Sequence, residues 1–234
     1  MIPMQSFVSM SQNNIEVSPQ KRTLVSICNV NIAPGDLLSI ESQLERRSWA
    51  VADGVLPKAV LDALRTEVIL DYKAGEFAPA HIAKGILKQR IQEVRSDRVR
   101  WLNRSEATKA QLDYWRVMDQ LRERLRAFFR IHLERTELHF AVYPEGSFYA
   151  PHVDQFRDHG DRIFSVITYL NPHWKEGDGG ELRIHHADGP FEDISPLHGR
   201  LVCFKSDEIL HEVLPAVEPR VSITGWIRRD AFML

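Results

Sequence analysis

From Leu138 onward the chain is cut into short β-type runs, at residues 138–143, 148–153, 163–170, 181–185, 200–204 and 221–227, separated by Gly, Pro, Asn and Asp. Runs of Val, Ile, Phe and Tyr bounded by turn residues read as strands, and many such strands close together need a closed or doubled sheet to bury their apolar faces. Further strands are expected at 48–51 and 95–102. Between and before them the period changes to helical. Pro57 sits at the start of a helix with the stripe Val60, Leu61, Leu64, Val68 and Leu70, and Ser105 caps a second with Leu112, Trp115, Met118, Leu121, Leu125 and Phe128. Helices followed by many strands predict a mainly β fold with packed helices: a double-stranded β-helix, or jelly roll, with its helices on one sheet.

Composition sets outer limits. At 234 residues and 44% hydrophobic the chain can bury one substantial core. Thirty basic against 32 acidic residues give a net charge of −2, so no global field favours nucleic acid or an anionic membrane. The run Arg122-Glu123-Arg124-Leu125-Arg126 reads as the solvated face of an amphipathic helix. Two cysteines, Cys28 and Cys203, make no disulfide framework, and neither a secretory leader nor an 18-residue apolar run is visible. A cytoplasmic protein that engages no membrane and no nucleic acid is expected. Residues 1–40 read as an N-terminal extension, partly disordered, with a short strand at 23–30 and a turn at Pro34-Gly35-Asp36; residues 41–234 read as the functional domain.

The chemistry concentrates in Tyr149-Ala150-Pro151-His152-Val153-Asp154. On an extended segment His152 and Asp154 point the same way, so both can bind one metal. His211, which follows a strand that could cross a barrel, is the candidate third ligand. Two histidines and a carboxylate with open positions are the ligand set of non-haem Fe(II) oxygenases. A 2-oxo acid such as 2-oxoglutarate would chelate through its keto-acid end and need a bidentate cation for its far carboxylate, which arginine supplies better than lysine. Arg220 lies nine residues after His211 at the start of the next strand, where a hairpin would return it beside the metal. Thr224 shares its face, Leu182 reads as an apolar wall of the pocket, and Tyr143 is expected near the metal mouth. A rival pair, His186-Ala187-Asp188, runs straight into Gly189-Pro190 and reads as a hairpin tip. His159 and Asp161 read as loop residues, and His132, His139, His173, His185 and His198 as hydrogen-bonded structural histidines.

Several pieces now stand in order: Tyr143-Pro144, Tyr149 ahead of His152-Val153-Asp154, Tyr169-Leu170-Asn171 with Trp174, Gly179-Gly180-Glu181-Leu182-Arg183-Ile184, Phe204-Lys205-Ser206-Asp207 before His211-Glu212-Val213, and Arg220 with Trp226. With them, the segment from about residue 47 to 229 resembles the prolyl 4-hydroxylase branch of the 2-oxoglutarate/Fe(II) dioxygenases, closest to the hypoxia-inducible-factor-type prolyl hydroxylases and their bacterial relatives.

The resemblance implies Fe(II) held by His152, Asp154 and His211, with 2-oxoglutarate and O2 as co-substrates, ascorbate as reductant, and succinate and CO2 as products. It places Tyr149 along the co-substrate pocket and Tyr169 at its carboxylate end, and it makes Arg162 and Trp226 substrate-side residues beside Tyr143. It further implies an Arg162–Asp97 salt bridge and a lid at 75–94 that closes over a protein substrate with a proline-containing loop. The sequence departs from close relatives in carrying Arg95-Ser96-Asp97 where they have Arg-Gly-Asp, and along residues 155–160. The same mechanism on a free amino acid or other small molecule is the alternative. A non-catalytic metal-binding barrel is a third class, against which the intact set of His152, Asp154, His211 and Arg220 argues.

Overall fold

In β4 (Arg135–Tyr143) the side chains alternate between two environments: Leu138, Phe140 and Val142 join one buried cluster, Ala141 and Tyr143 another. A strand packed on both faces reads this way because successive side chains leave opposite sides of the pleat. The computed structural model describes residues 31–80, 94–155, 160–186 and 189–229. The strand expected at 23–30, Cys28, most of the 75–94 segment, His159 and Asp188 lie outside the described residues.

Two antiparallel sheets face each other across the second of these clusters. The larger runs in the order β1 (Trp49–Ala52), β9 (Leu201–Lys205), β6 (Arg162–Tyr169), β11 (Arg220–Arg228), β4, β3 (Arg98–Trp101) and β2 (Ala78–Pro79). The smaller runs β5 (Tyr149–His152), β10 (Leu210–Val213), β7 (Leu182–His185) and β8 (Glu192–Ile194). Inner residues of both, among them Ile167, Val202, Phe204, Leu182, Ile184 and Val213, form the core between the sheets. The outer face of the larger sheet is covered by α1 (Pro34–Arg47), α2 (Lys58–Lys73) and α3 (Lys109–Phe129). This is the expected jelly roll with helices on one sheet.

The helices differ from expectation in detail. Pro34-Gly35-Asp36 is not a free turn but the first turn of α1, with Pro in the opening positions and Asp36 at the positive end of the helix. Leu37, Ile40 and Leu44 bury one stripe of it, and buried Glu41 takes a bidentate hydrogen bond from Arg124 of α3, 2.9 Å at each contact. A boundary after residue 40 therefore falls inside a packed helix. Leu70 is 62% exposed, because two positions past Val68 is roughly 200° around the helix and leaves the stripe. The cap of α3 is Thr108, which accepts from Gln111 N at 3.2 Å, while Ser105 belongs to a short 3-10 turn capped by Asn103. Phe128, at the far end of the expected stripe, is 40% exposed.

Two crossings between the sheets set up the site. The chain leaves β4 of the large sheet through a turn into β5 of the small one, and it leaves β9 of the large sheet through a turn into β10 of the small one. β5 and β10 then pair, with His152 directly opposite His211. β11 lies centrally in the large sheet between β4 and β6, so Arg220 reaches the interior from the facing sheet and not by a hairpin from β10.

The pairing of β4 with β11 depends on Gly225, where a Cβ would sit 1.9 Å from Glu137 O and 2.7 Å from a Leu138 methyl. Gly225→Ala should therefore force the two strands apart, costing about 3 kcal/mol or more. That corresponds to a melting temperature lower by roughly 6–12 °C for a chain of this size. A thermal melt decides it; an unchanged midpoint would mean the strands do not approach this closely.

Candidate metal centre

His152 and His211 each anchor one ring nitrogen on their own strand. His152 Nδ1 lies 2.8 Å from Ala150 O and His211 Nδ1 lies 3.0 Å from Ile209 O. Donating Nδ1–H to a carbonyl selects the tautomer that leaves the Nε2 lone pair free, the state a metal requires. Both Nε2 atoms face the same oxygen, Asp154 Oδ1, at 3.3 Å from His152 and 3.9 Å from His211. The other carboxylate oxygen accepts from Ser165 Oγ at 2.6 Å, and Ser165 is bonded in turn to Ser206 Oγ at 2.9 Å. Candidate ligand atoms from the three residues lie within 4.8 Å of one another, and this is the group of its kind found among the described residues.

The electrostatics suit a divalent cation. Burial alone would raise the Asp154 carboxyl, but the facing imidazoles of His211 and His152 and the Ser165 hydrogen bond outweigh it and hold the pKa well below the usual carboxylate range. Burial pushes His211 down to about 4, with Asp154 opposing. A carboxylate that stays ionised and a histidine that stays neutral are the protonation states of metal ligands.

Tyr149 stacks on His152 with ring centroids 3.5 Å apart and planes at 17°, and the Arg95 guanidinium lies 4.2 Å over the tyrosine ring. Burial pushes the Tyr149 phenol up to about 12, so it remains a neutral donor. Arg95 also bridges to the Tyr149 backbone and holds buried Asp97 bidentately, at 2.8 and 2.7 Å. The expected Arg162–Asp97 salt bridge is therefore corrected. Arg95 and Asp97, two apart on extended chain, share a face, and the fork closes on the nearer carboxylate. Arg162 instead lies 3.6 Å over the Trp226 ring and points Nη1 at Asp154 O, 3.4 Å away.

Arg220 is 2% exposed, lies between the rings of Tyr143 and Tyr169 at 4.7 and 4.9 Å, and reaches Ser222 Oγ at 3.4 Å. Thr224 Oγ1 is 3.2 Å from the same serine oxygen, so Arg220, Ser222 and Thr224 make one polar face of β11. Arg220 Nε and Tyr169 Oη are both buried with no hydrogen-bond partner among the described residues. Two such donors, each costly to leave unpaired, mark a place for an anion. Gly180 keeps that place open: its φ is +74°, and a Cβ there would sit 2.9 Å from Arg220 Cδ. A cavity of about 670 Å³ joins Arg220, Thr224, Leu182 and Tyr143 to the three-residue group, and its wall continues through Arg162 and Trp226.

The rival His186 is exposed, outside this cavity, and its partner Asp188 lies outside the described residues. His185 contacts Glu212, His198 contacts Asp62 and His132 contacts Glu134, each on the protein's own carboxylates. His139 does not fit the reading of a hydrogen-bonded structural histidine: it lines the cavity, and its Nδ1 has no partner among the described residues. Sequence reasoning also missed Ser165, Ser206, Ser222 and Arg95. Ser165 and Ser222 carried a signal: Ser165 falls on the inward phase of β6 with the apolar Ile167 and Tyr169, and Ser222 falls between Arg220 and Thr224 on the same face of β11. Arg95 carried none, because its partner Tyr149 is 54 residues away and meets it only through strand pairing.

Comparison with known proteins agrees with this geometry. Residues 138–228 match the family described as the 2OG-Fe(II) oxygenase superfamily. A Pseudomonas putida prolyl-4-hydroxylase of solved structure is 38% identical with a TM-score of 0.75, the match covering 83% of this chain and 99% of that one. A Trichoplax adhaerens prolyl hydroxylase, solved in complex with a hypoxia inducible factor oxygen degradation domain peptide fragment, is 25% identical with a TM-score of 0.75, over 82% and 89% of the two chains.

Proposed function

Because the chain belongs to the 2-oxoglutarate/Fe(II) oxygenases of the prolyl-hydroxylase type, we propose that it hydroxylates a prolyl residue in a loop of a protein substrate, releasing succinate and CO2. The observation that carries this is a cavity in which a three-ligand group faces the buried Arg220, whose Nε has no hydrogen-bond partner among the described residues and which packs beside the likewise unpartnered Tyr169 hydroxyl. In this reading His152, Asp154 and His211 hold Fe(II), which with 2-oxoglutarate and O2 supplies the oxidising chemistry. Arg220, with Tyr169 and Thr224, binds the far carboxylate of the co-substrate as a fixed bidentate anchor. Tyr149 and Leu182 line its body, and Leu182 keeps water from that side of the pocket.

Tyr143, Arg162 and Trp226 orient the substrate. Trp226 lines the cavity wall, and Arg162, stacked over its ring, keeps the indole in place. The peptide bound to the Trichoplax relative supports a polypeptide substrate here. Ascorbate is the proposed reductant, and the cytoplasm the proposed compartment. No helix among the described residues is long and apolar enough to cross a membrane.

The test is succinate release and peptide hydroxylation across a proteome-derived library of proline-containing peptides, followed in wild type and Trp226→Ala. Loss of an aromatic anchor of this kind should lower peptide hydroxylation by roughly thirty-fold. The requirement for 2-oxoglutarate, set by Arg220 six residues away on the strand, should change little. A melting curve excludes simple unfolding. If no peptide is hydroxylated while free amino acids are, the small-molecule alternative replaces this reading.

A further inference from the structure

Among the described histidines, His139 is the one that lines the cavity without belonging to the metal group, and the proposed mechanism leaves its surroundings unexplained. The alternation of β4 turns Leu138, Phe140 and Val142 toward the helices and His139, Ala141 and Tyr143 toward the cavity. On the two flanking strands its register partners are Trp101 and Thr224. Three rings consequently meet on one wall: His139 lies 4.9 Å from Trp101 and 5.4 Å from Trp226, stacked on the latter at 27°. Trp101 is 56% exposed and carries the wall outward to solvent, whereas His139 is 3% exposed.

That wall holds two polar atoms with nothing to bond. His139 Nδ1 and Trp226 Nε1 are each buried with no hydrogen-bond partner among the described residues. Folded proteins pair more than roughly nine in ten buried polar groups, so two orphans on adjacent rings of one cavity wall need a reason. Burial holds the imidazole pKa down to about 4, with Arg95 and Arg162 adding to the depression and Asp97 and Asp154 opposing it. The ring is therefore neutral near pH 7 and has one accepting nitrogen. The indole N–H can only donate. One acceptor and one donor on neighbouring rings of one wall complement the two groups of a peptide backbone.

Resting on the prolyl-hydroxylase reading, we infer that His139 and Trp226 together bind the main chain of the substrate, Trp226 Nε1–H donating to a carbonyl and His139 Nδ1 accepting from a backbone N–H. The prolyl nitrogen carries no hydrogen, so the N–H that reaches His139 belongs to another residue of the polypeptide. A free amino acid has no such amide group. His139 is thus a substrate-binding residue that selects for chain over monomer, in addition to whatever recognises the prolyl ring itself.

The experiment uses the full chain and a proline-containing peptide that the wild-type enzyme hydroxylates, together with versions of that peptide N-methylated at one backbone position at a time. His139→Met keeps an apolar wall of similar size and loses the acceptor; His139→Asn restores a polar atom near the Nδ1 position. His139→Met should lower kcat/KM for the peptide about ten-fold, and His139→Asn should recover most of it. In wild type one N-methylated peptide should lose about ten-fold as well, and against that peptide His139→Met should match wild type, since the contact is already gone. The melting temperature of His139→Met should stay level or rise, because an unpaired buried nitrogen is replaced by a thioether, and 2-oxoglutarate and Mn(II) affinities should stay within about two-fold. Full peptide kcat/KM in His139→Met overturns the inference, as does a lowered melting temperature with parallel loss of Mn(II) affinity, which would make the histidine a structural residue. The melting arm needs no substrate, so a failed peptide screen sinks the prolyl reading while His139 is still judged by its own measurement.

Discussion

Replacing His152, Asp154 or His211 by alanine, one at a time, should abolish Fe(II)-dependent succinate release and weaken Fe(II) or Mn(II) binding by at least about a hundred-fold. Changing a residue that merely hydrogen-bonds a metal ligand typically weakens a metal site ten- to a hundred-fold, so removing a ligand outright should do more. The fold should survive each change, because the site is open on the cavity side and the core between the sheets is built by Leu182, Ile184, Ile167, Val202 and Phe204 rather than by the ligands. A closed structural metal site would behave differently, with the melting temperature collapsing alongside metal affinity. The measurements are metal titration by electron paramagnetic resonance with Mn(II), succinate release with Fe(II), and a thermal melt. Retention of full metal affinity by any one variant would remove that residue from the ligand set. His186→Ala is the control: that side chain is exposed and away from the cavity, and its loss should leave metal binding unchanged.

The convergence on which that result depends was only half legible in the sequence. His152 and Asp154 are two apart on an extended segment, and period two puts them on one side with no knowledge of the fold. Arg220 and Thr224 follow the same rule on β11, which is why that polar face could be read in advance. His211 was legible only as a candidate, from the strand that precedes it, and not from a period of its own. Its place depends on the chain leaving the large sheet after β9 and entering the small one as β10, and the strand that results, Leu210–Val213, has no alternation long enough to announce itself. For Arg220 the same limit acted the other way: sequence adjacency suggested a hairpin, whereas β11 lies in the opposite sheet.

Side-chain partners were the least legible. The resemblance assigned Asp97 to Arg162, whereas Arg95, two residues away on the same face of extended chain, closes the bidentate bond. α1 was hidden by its own first turn, because Pro-Gly-Asp reads equally as a turn or as a helix start until Leu37, Ile40 and Leu44 are seen to share a buried stripe. The mainly β architecture with helices on one sheet survived these errors because it rests on many strands at once, and no single misread boundary changes the count of faces that must be buried.

Arg220→Lys should raise the 2-oxoglutarate requirement ten- to a hundred-fold, corresponding to about 1.5–3 kcal/mol for one charge-assisted hydrogen bond. The charge is retained in this variant, so what is tested is geometry. The Arg220 guanidinium is held between the rings of Tyr143 and Tyr169 with Nε unpaired among the described residues, beside a Tyr169 hydroxyl that is also unpaired. A planar fork can meet both oxygens of a carboxylate there, whereas an ammonium on a flexible stem meets one, and Gly180 pressed against Arg220 leaves little room for the stem to choose another path. Because the far carboxylate takes no part in bond breaking, its anchor should hold ground and transition states equally, and kcat at saturating 2-oxoglutarate should largely recover. Mn(II) affinity measured without co-substrate should not move, since Arg220 approaches from the sheet opposite the two histidines. A full titration of 2-oxoglutarate against wild type and Arg220→Lys separates these outcomes. An unchanged co-substrate constant would place the carboxylate elsewhere in the cavity, and a matching fall in Mn(II) affinity would mean that the arginine supports the metal group rather than the co-substrate.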